Sequence, residues 1–274
     1  MSAETGRPAL TRTLERGLLL LTLVAQGGGL PLIEISRRAG MSPSTALRLL
    51  ETLRAYHFVD KDAVTGRYRV AIGAFEVGSS YQRQNGMSET ARIVLRRLSG
   101  ALRQTANLAV LDKSDIVYVE RVEADGPLGT RGHWGERLPA HCTAAGKAML
   151  AWSWESRCDE VLGSPPFARL TPNTMTDRET FMRQLLTIRE QGYAVDEEEA
   201  ILGVRCIAAP VLERDGGARA AISVSMLART VRPEQESAII DAVRDAAQRL
   251  SVMLGWQAQA MAAPETDTHS LFTD

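Results

Sequence analysis

The 274-residue chain is poor in cysteine, with three, poor in aromatic residues at 5 %, and almost without excess charge at a net −1. Cys142, Cys158 and Cys206 have no short-range pairing, which excludes a disulfide framework and points to reduced thiols. No apolar run approaches the ~18 residues of a membrane span. The first residues lack the ordered charged region, apolar core and cleavage site of a secretory leader. A cytoplasmic protein without a membrane partner is the expectation. His141, Cys142 and Cys206 are the only side chains worth weighing as a metal set. Cys158 stands in an unrelated stretch and no His pair has helical ligand spacing. Neither metal nor cofactor is expected. Ala145-Gly-Lys-Ala148 looks like the end of a phosphate-binding loop. His141 stands where that loop needs its first Gly, however, and Ala148 where Ser or Thr must follow the Lys.

What the sequence does have is asymmetric. Residues 1–85 carry 11 Lys+Arg against 7 Asp+Glu, and residues 86–274 carry 21 against 26. A basic front on an acidic body fits nucleic-acid binding by one end. Within that front, an apolar helix from Ile33 to Ala39 is expected to stop at Gly40, where a left-handed turn suits glycine. Ser42 then caps a second helix with Pro43 at its first position. Two helices joined by such a turn form a helix-turn-helix. Ala46, Leu49, Leu50 and Leu53 make an apolar stripe for the core, and Ser44, Thr45, Arg48 and Thr52 take the other side. His57-Phe-Val and Arg67-Tyr-Arg-Val flank a Gly-containing turn, a wing whose Lys61, Arg67 and Arg69 are candidates for phosphate contact. Ser42, Ser44, Thr45 and Arg48 are candidates for the major groove of double-stranded DNA.

Before the motif, residues 1–9 read as a flexible arm. A helix from Thr13 to Ala25 is expected to place Leu14, Leu18, Leu21 and Val24 or Ala25 on one face. A linker helix follows over 72–86, with Ile72, Phe75, Val77 and Tyr81 as an apolar candidate for a partner surface. The body, 87–256, opens with a helix whose inner side is Ile93, Val94 and Leu98. It continues with a hairpin around Asp112-Lys-Ser-Asp115, a Gly-rich loop over 127–139 and an Ala-rich helix from Thr143. A capping box at Thr176-Asp-Arg-Glu179 opens another helix. Strands at 194–196, 206–212 and 219–226 and a helix from Pro233 complete it. Residues 257–274 read as a disordered tail. Hairpin strands with flanking helices give an α+β body around an antiparallel sheet.

These residues carry a family resemblance over about Thr11 to Trp256. Leu14-Glu-Arg-Gly-Leu, Ser42-Pro-Ser-Thr45 and Gly66-Arg-Tyr-Arg69 form one block. Leu138-Pro-Ala-His-Cys-Thr-Ala-Ala-Gly-Lys-Ala-Met-Leu-Ala151 is the second. Gly192-Tyr-Ala-Val-Asp-Glu-Glu-Glu199 with Gly203-Val-Arg-Cys-Ile-Ala-Ala-Pro210 is the third. In order and spacing the chain resembles an IclR-family transcriptional regulator. The resemblance implies a winged helix-turn-helix over 10–71, a linker helix and a profilin-like effector domain. It also implies a homodimer, or a dimer of dimers, on a palindromic operator. By family motif the effector pocket is lined near Ala144, Ala145, Asp196, Val204, Cys206, Ser223 and Ser225, with Leu128, Thr130 and Leu138 from the loop. Trp134 is placed on the same lid.

The function expected is a DNA-binding regulator, a repressor of a catabolic operon, controlled by a small organic acid. Free N–H groups at the start of the Ala-rich helix would hold the carboxylate, with Ser223, Ser225 and Asp196 serving a hydroxyl or keto group. Two alternatives belong to other classes. One is a Cys-dependent hydrolase fused to a DNA-binding module, which needs Cys142 or Cys206 beside His141. The other is a ligand-independent DNA-binding protein.

Overall fold

The structure, a computed structural model, describes residues 10–85, 87–124, 134–153, 158, 161–163, 165–230 and 232–257. The expected arm, Leu128, Thr130 and all of the expected tail but Gln257 lie outside the described residues. The chain forms two compact units, Met1–Gly86 and Met87–Asp274.

In the first unit, α1 (Arg12–Gln26), α2 (Leu32–Arg38) and α3 (Pro43–Ala55) precede a hairpin of β1 (Val59–Lys61) and β2 (Tyr68–Val70), and α4 (Ile72–Asn85) follows. Local signals set these boundaries. Gly40 adopts φ +62°, which ends the α2 turn. Ser42 Oγ accepts the N–H of Thr45 at 3.3 Å and Pro43 opens α3. Asp62 Oδ1 accepts the N–H groups of Val64 and Thr65 at 3.1 and 2.7 Å, tightening the wing turn before Gly66. Leu20, Val24, Ile35, Ala46, Leu50, Val59 and Tyr68 form the core. The face of α1 matches the expected one at Val24, which is buried, and differs earlier in the helix, where Leu20 is buried and Leu14 and Leu18 are exposed. The run Leu18-Leu-Leu-Leu21 offers an apolar residue on every face, so periodicity does not single out the inner one.

The second unit is α5 (Met87–Leu102), β3 (Thr105–Asp112), β4 (Asp115–Val122), β5 (Arg137–Pro139), α6 (Ala144–Leu150), α7 (Arg178–Gln191), β6 (Ala194–Glu197), β7 (Val204–Leu212), β8 (Ala218–Leu227) and α8 (Pro233–Met253). Its sheet has the order β5-β4-β3-β8-β7-β6, with every neighbour antiparallel. One face packs Leu108, Ile207, Ile222 and Val224 against α5 and α8. The other packs Ala109, Tyr118, Ala208 and Ala221 against α6, and α7 brings Phe181, Leu185 and Ile188 to the same cluster. Two local expectations shift. Asp177, not Thr176, caps α7, its carboxylate accepting the Thr180 N–H at 2.8 Å. On α5, Leu95 is buried and Ile93 is half exposed.

A bulge in β4 matters most for the site. Leu108 pairs with Glu120 and Ala109 with Tyr118, so Val119 is an extra residue. The strand changes phase there. Tyr118 faces α6, Glu120 faces α5 and meets Arg92 at 2.9 Å, and Arg121 returns to the α6 face to meet Asn107.

Every residue of α6 is buried, and Gly146 lets it approach the preceding turn. A Cβ at Gly146 would stand 2.1 Å from Ala140 O. Gly146→Ala is therefore expected to cost about 1–3 kcal/mol through forced backbone shifts. Gly100→Ala, on exposed helix with open space around it, is expected to gain about 0.4–1 kcal/mol. Urea unfolding midpoints followed by circular dichroism check both; equal effects of one sign would refute the close-approach account.

Candidate functional sites

The first unit presents the exposed face of α3. Ser42, Ser44 and Arg48 are exposed, and Thr45 is partly so. The three hydroxyls form a cluster, Ser42 Oγ lying 3.1 Å from Ser44 Oγ and 2.9 Å from Thr45 Oγ1. The Arg48 side chain makes no ion pair or hydrogen bond among the described residues. The wing cations differ from it. Arg67 donates to Gly29 O at 2.9 Å, Arg69 pairs with Asp60 at 3.3 Å, and the Lys61 ammonium lies 5.5 Å from the Tyr68 ring centre. Each remains exposed, so these contacts orient the charges without removing them from solvent. The sequence alone did not reveal this self-pairing, because the partners come from other turns and strands.

The second unit holds a polar cavity between the sheet and the start of α6. Its lining includes Tyr118, Arg121, Leu138, Ala144, Ala145, Asp196, Val204, Cys206, Ser223 and Ser225, around a free volume of about 30 Å³. The structure thus brings together all the expected pocket residues that it describes, except Trp134. That ring stands 6.0 Å from the guanidinium of Arg92, on the α5 side, and is 58 % exposed. The strand register explains the rest. Cys206 pairs with Asp196 on one side and Ser225 on the other, and Asn107 pairs with Ser223 and Arg121. Alternation then sends all six side chains to one face.

A hydrogen-bond chain crosses this face. Arg121 Nη1 donates to Asn107 Oδ1 at 3.1 Å, Asn107 Nδ2 donates to Ser225 Oγ at 3.1 Å, and Cys206 Sγ donates to the same oxygen at 3.4 Å. Ser223 Oγ is buried without a partner among the described residues. Buried hydroxyls are ordinarily satisfied, so this one marks a place for a ligand or water. Thr143 Oγ1 takes the N–H of Gly146 at 3.2 Å, and Ala144 and Ala145, the first two residues of α6, line the cavity at the helix end whose N–H groups have no intrahelical partner. Tyr118, Arg121, Glu136, Ala200 and Ile201 are lining residues that pattern reading missed, and Asn107 stands behind them, bonded to Arg121 and Ser225. The bulge hides Arg121, because strict alternation assigns Glu120 to the cavity instead.

Asp196 is buried, and burial pushes its carboxyl up to about 7, against the N–H groups of Glu199 and Ala200 and nearby Lys147, which pull it down. Behind it, Lys147 Nζ and Glu199 Oε1 form a buried ion pair. Burial raises both the Cys142 and Cys206 thiols to about 12. They stay protonated, unlike a nucleophile or metal ligand, which acts as thiolate. Burial also lowers His141, whose Nε2 is spent on Ala168 O at 2.9 Å. A Cys–His hydrolytic centre is therefore not assembled. Among the described residues no three His, Cys, Asp or Glu side chains gather as a metal site, and no helix is long and apolar enough to cross a membrane. A larger groove of about 640 Å³ runs between Trp152 and Trp256. It is open, and among the described residues no orphaned buried polar side-chain atom belongs to its lining.

The chain matches the IclR helix-turn-helix domain over residues 13–63 and the bacterial transcriptional regulator IclR C-terminal domain over residues 80–252. It is 38 % identical over 240 residues to the HTH-type transcriptional regulator BhcR of Paracoccus denitrificans (strain Pd 1222), covering 88 % of this chain and 86 % of that one. It is 31 % identical to the HTH-type transcriptional repressor AllR of Escherichia coli (strain K12), covering 90 % and 92 %. The structure of an IclR transcriptional regulator from Alicyclobacillus acidocaldarius superposes with a TM-score of 0.79 at 25 % identity, covering 90 % of this chain and all of that one. With both units matched, in order and nearly end to end, the chain belongs to the IclR family of bacterial helix-turn-helix transcriptional regulators and is not an enzyme.

Proposed function

We propose that this regulator is a cytoplasmic repressor that binds a palindromic operator as a homodimer, or a dimer of dimers, and releases it in response to a small organic acid. Ser223 Oγ carries the effector part of the reading, as a buried hydroxyl without a partner facing a closed polar cavity. The repressor AllR, among the relatives, supports the direction of control. Ser42, Ser44, Thr45 and Arg48 meet base edges in the major groove, and Lys61, Arg67 and Arg69 lie along phosphates. One winged helix covers one half-site, so two chains are needed. Ile72, Phe75, Val77 and Tyr81, all more than half exposed on α4, supply the apolar surface for pairing. A third reading, DNA binding without a ligand, leaves the Ser223 hydroxyl and the buried charges around it without a purpose.

The effector enters the cavity with its carbonyl or hydroxyl toward Ser223, Ser225 and the N–H groups of Ala144 and Ala145. Asp196 suits a hydroxyl donor. Leu138 and Val204 close the apolar sides. The acid alters DNA affinity only to the extent that it binds the operator-competent and incompetent states differently.

Three outcomes are expected. Arg48→Ala should lose about 1–3 kcal/mol on the preferred operator and relax its sequence choice. Fluorescence anisotropy against matched and scrambled duplexes measures this, and unchanged affinity and preference would remove α3 as the reading helix. The double variant Ser223→Ala, Ser225→Ala should keep operator binding and lose the acid response. Calorimetry showing wild-type ligand affinity in that variant would displace the pocket. Finally, an anion binds best while Asp196 is protonated. Because the group titrates at about 7, affinity should be fullest below that pH and fall as pH rises through it. Asp196→Asn should flatten the profile, which titrations from pH 5.5 to 8.5 would reveal.

A further inference from the structure

Most polar side chains around the effector cavity are already engaged. Arg121 is bonded to Asn107 and paired with Glu123. Asp196 Oδ1 accepts the N–H groups of Glu199 and Ala200 at 2.7 and 3.4 Å. Ser225 Oγ receives both Asn107 Nδ2 and the Cys206 thiol, which fills its lone pairs. Two lining hydroxyls differ. Ser223 Oγ is buried without a partner, and the Tyr118 hydroxyl makes no hydrogen bond among the described residues.

The fold holds Tyr118 in this place from both sides. Ile116 and Tyr118 lie two apart on β4, ahead of the bulge, and both enter the apolar cluster that includes α6. Tyr118 pairs with Ala109 of β3. Toward the other edge its N–H donates to Glu136 O at 3.1 Å and its carbonyl accepts the Gly135 N–H at 2.8 Å, just ahead of β5. The residue is 7 % exposed, so its ring is enclosed. Burial, and then the nearby Cys206 and Asp196, push the phenol above its usual range, so it remains a proton donor at neutral pH.

The free volume that the two hydroxyls line is about 30 Å³, the share of about one water molecule and so of one ligand oxygen. A keto oxygen has two lone pairs and accepts from both hydroxyls. A ligand hydroxyl accepts from one and donates to the other. A methylene in the same place leaves both side chains buried and unpaired, which is how a polar site rejects an analogue lacking one oxygen.

Resting on the reading of this cavity as the effector site, we propose that Tyr118 is its specificity-determining residue. With Ser223 it binds the keto or hydroxyl oxygen of the acid, and it selects oxygenated acids over the deoxy acids of the same length.

The test uses the full-length protein with sodium pyruvate and lactate beside propionate, and 2-oxobutanoate and 2-hydroxybutanoate beside butanoate, by thermal shift and then calorimetry. Wild type is expected to bind at least one oxygenated acid about tenfold or more tightly than its deoxy partner. Tyr118→Phe removes one oxygen atom and keeps the ring. It should weaken the oxygenated acid about threefold to tenfold and leave the deoxy acid unchanged. A wild-type preference in Tyr118→Phe, or an equal loss for both acids, overturns the proposal. If Ser223→Ala still removes the preference in that case, the effector cavity itself stands. Wild type that binds oxygenated and deoxy acids alike also overturns the proposal, and wild type unmoved by every acid removes the organic-acid reading with it. Should Tyr118→Phe fail to fold by circular dichroism, the wild-type protein decides. The carbon-13 resonance of the Tyr118 Cζ should move with the oxygenated acid and not with the deoxy acid, and a resonance that stays in place counts against the proposal.

Discussion

The buried ion pair between Lys147 and Glu199 is the interaction on which the cavity depends. Two charges out of water cost several kcal/mol each to desolvate, and removing one partner leaves about 3–5 kcal/mol of unpaired charge. The pair ties α6 to the turn that follows β6. That turn is fastened twice more: Thr171 and Thr174 hydroxyls donate to Glu199 O at 3.1 and 2.7 Å, and Asp196 Oδ1 accepts the Glu199 N–H at 2.7 Å. The backbone that delivers Glu199 to Lys147 therefore also sets the Asp196 carboxylate. Floor and wall of the site are fixed by one electrostatic contact spanning 52 residues of sequence.

The winged helix was legible because its signals are local. Gly40, the Ser42-Pro43 cap and the Gly66 turn each act within four residues, and each holds in the structure. The α+β body and its antiparallel hairpins were legible from period-two patterning and turn residues. Where an apolar run offers several faces, as at Leu18-Leu-Leu-Leu21 or Ile93-Val-Leu95, composition could not choose the buried one, and tertiary packing did. Thr176 and Asp177 are both capping residues in adjacent positions, and the backbone selected the second. At the cavity, the family blocks contain Ala144, Ala145, Asp196 and Cys206, and the family resemblance added Ser223 and Ser225. Arg121 and Asn107 lie outside those blocks, and only the bulge and the strand order unite them. Lys147 had looked like a relic of a phosphate loop; its partner is too far along the chain for spacing to reveal.

The size of the cavity bears on how a bound acid would be felt elsewhere. About 30 Å³ is the share of roughly one water molecule, so an organic acid requires the walls to part. The wall with least support is the three-residue edge strand β5, paired on one side only. The opposite wall is the close-packed α6, where Gly146 already touches Ala140. A ligand that separates an edge strand from a rigid helix has different affinities for the closed and parted forms, which is the condition for ligand-dependent control.

The bulge in β4 stores one more consequence. Glu120 and Arg121 are adjacent in sequence and opposite in charge, and it is Arg121 rather than Glu120 that takes the α6 face because Val119 is extra. A one-residue slip in a strand exchanges its faces. Drawing Val119 into the ladder as an ordinary paired residue, with the register before it kept, would turn the Glu120 carboxylate inward and the Arg121 guanidinium out toward α5. The polarity of the chamber is thus written in the counting of residues along a strand as much as in their identities. Within such a scaffold, one unpaired strand residue decides which of two opposite charges faces the cavity.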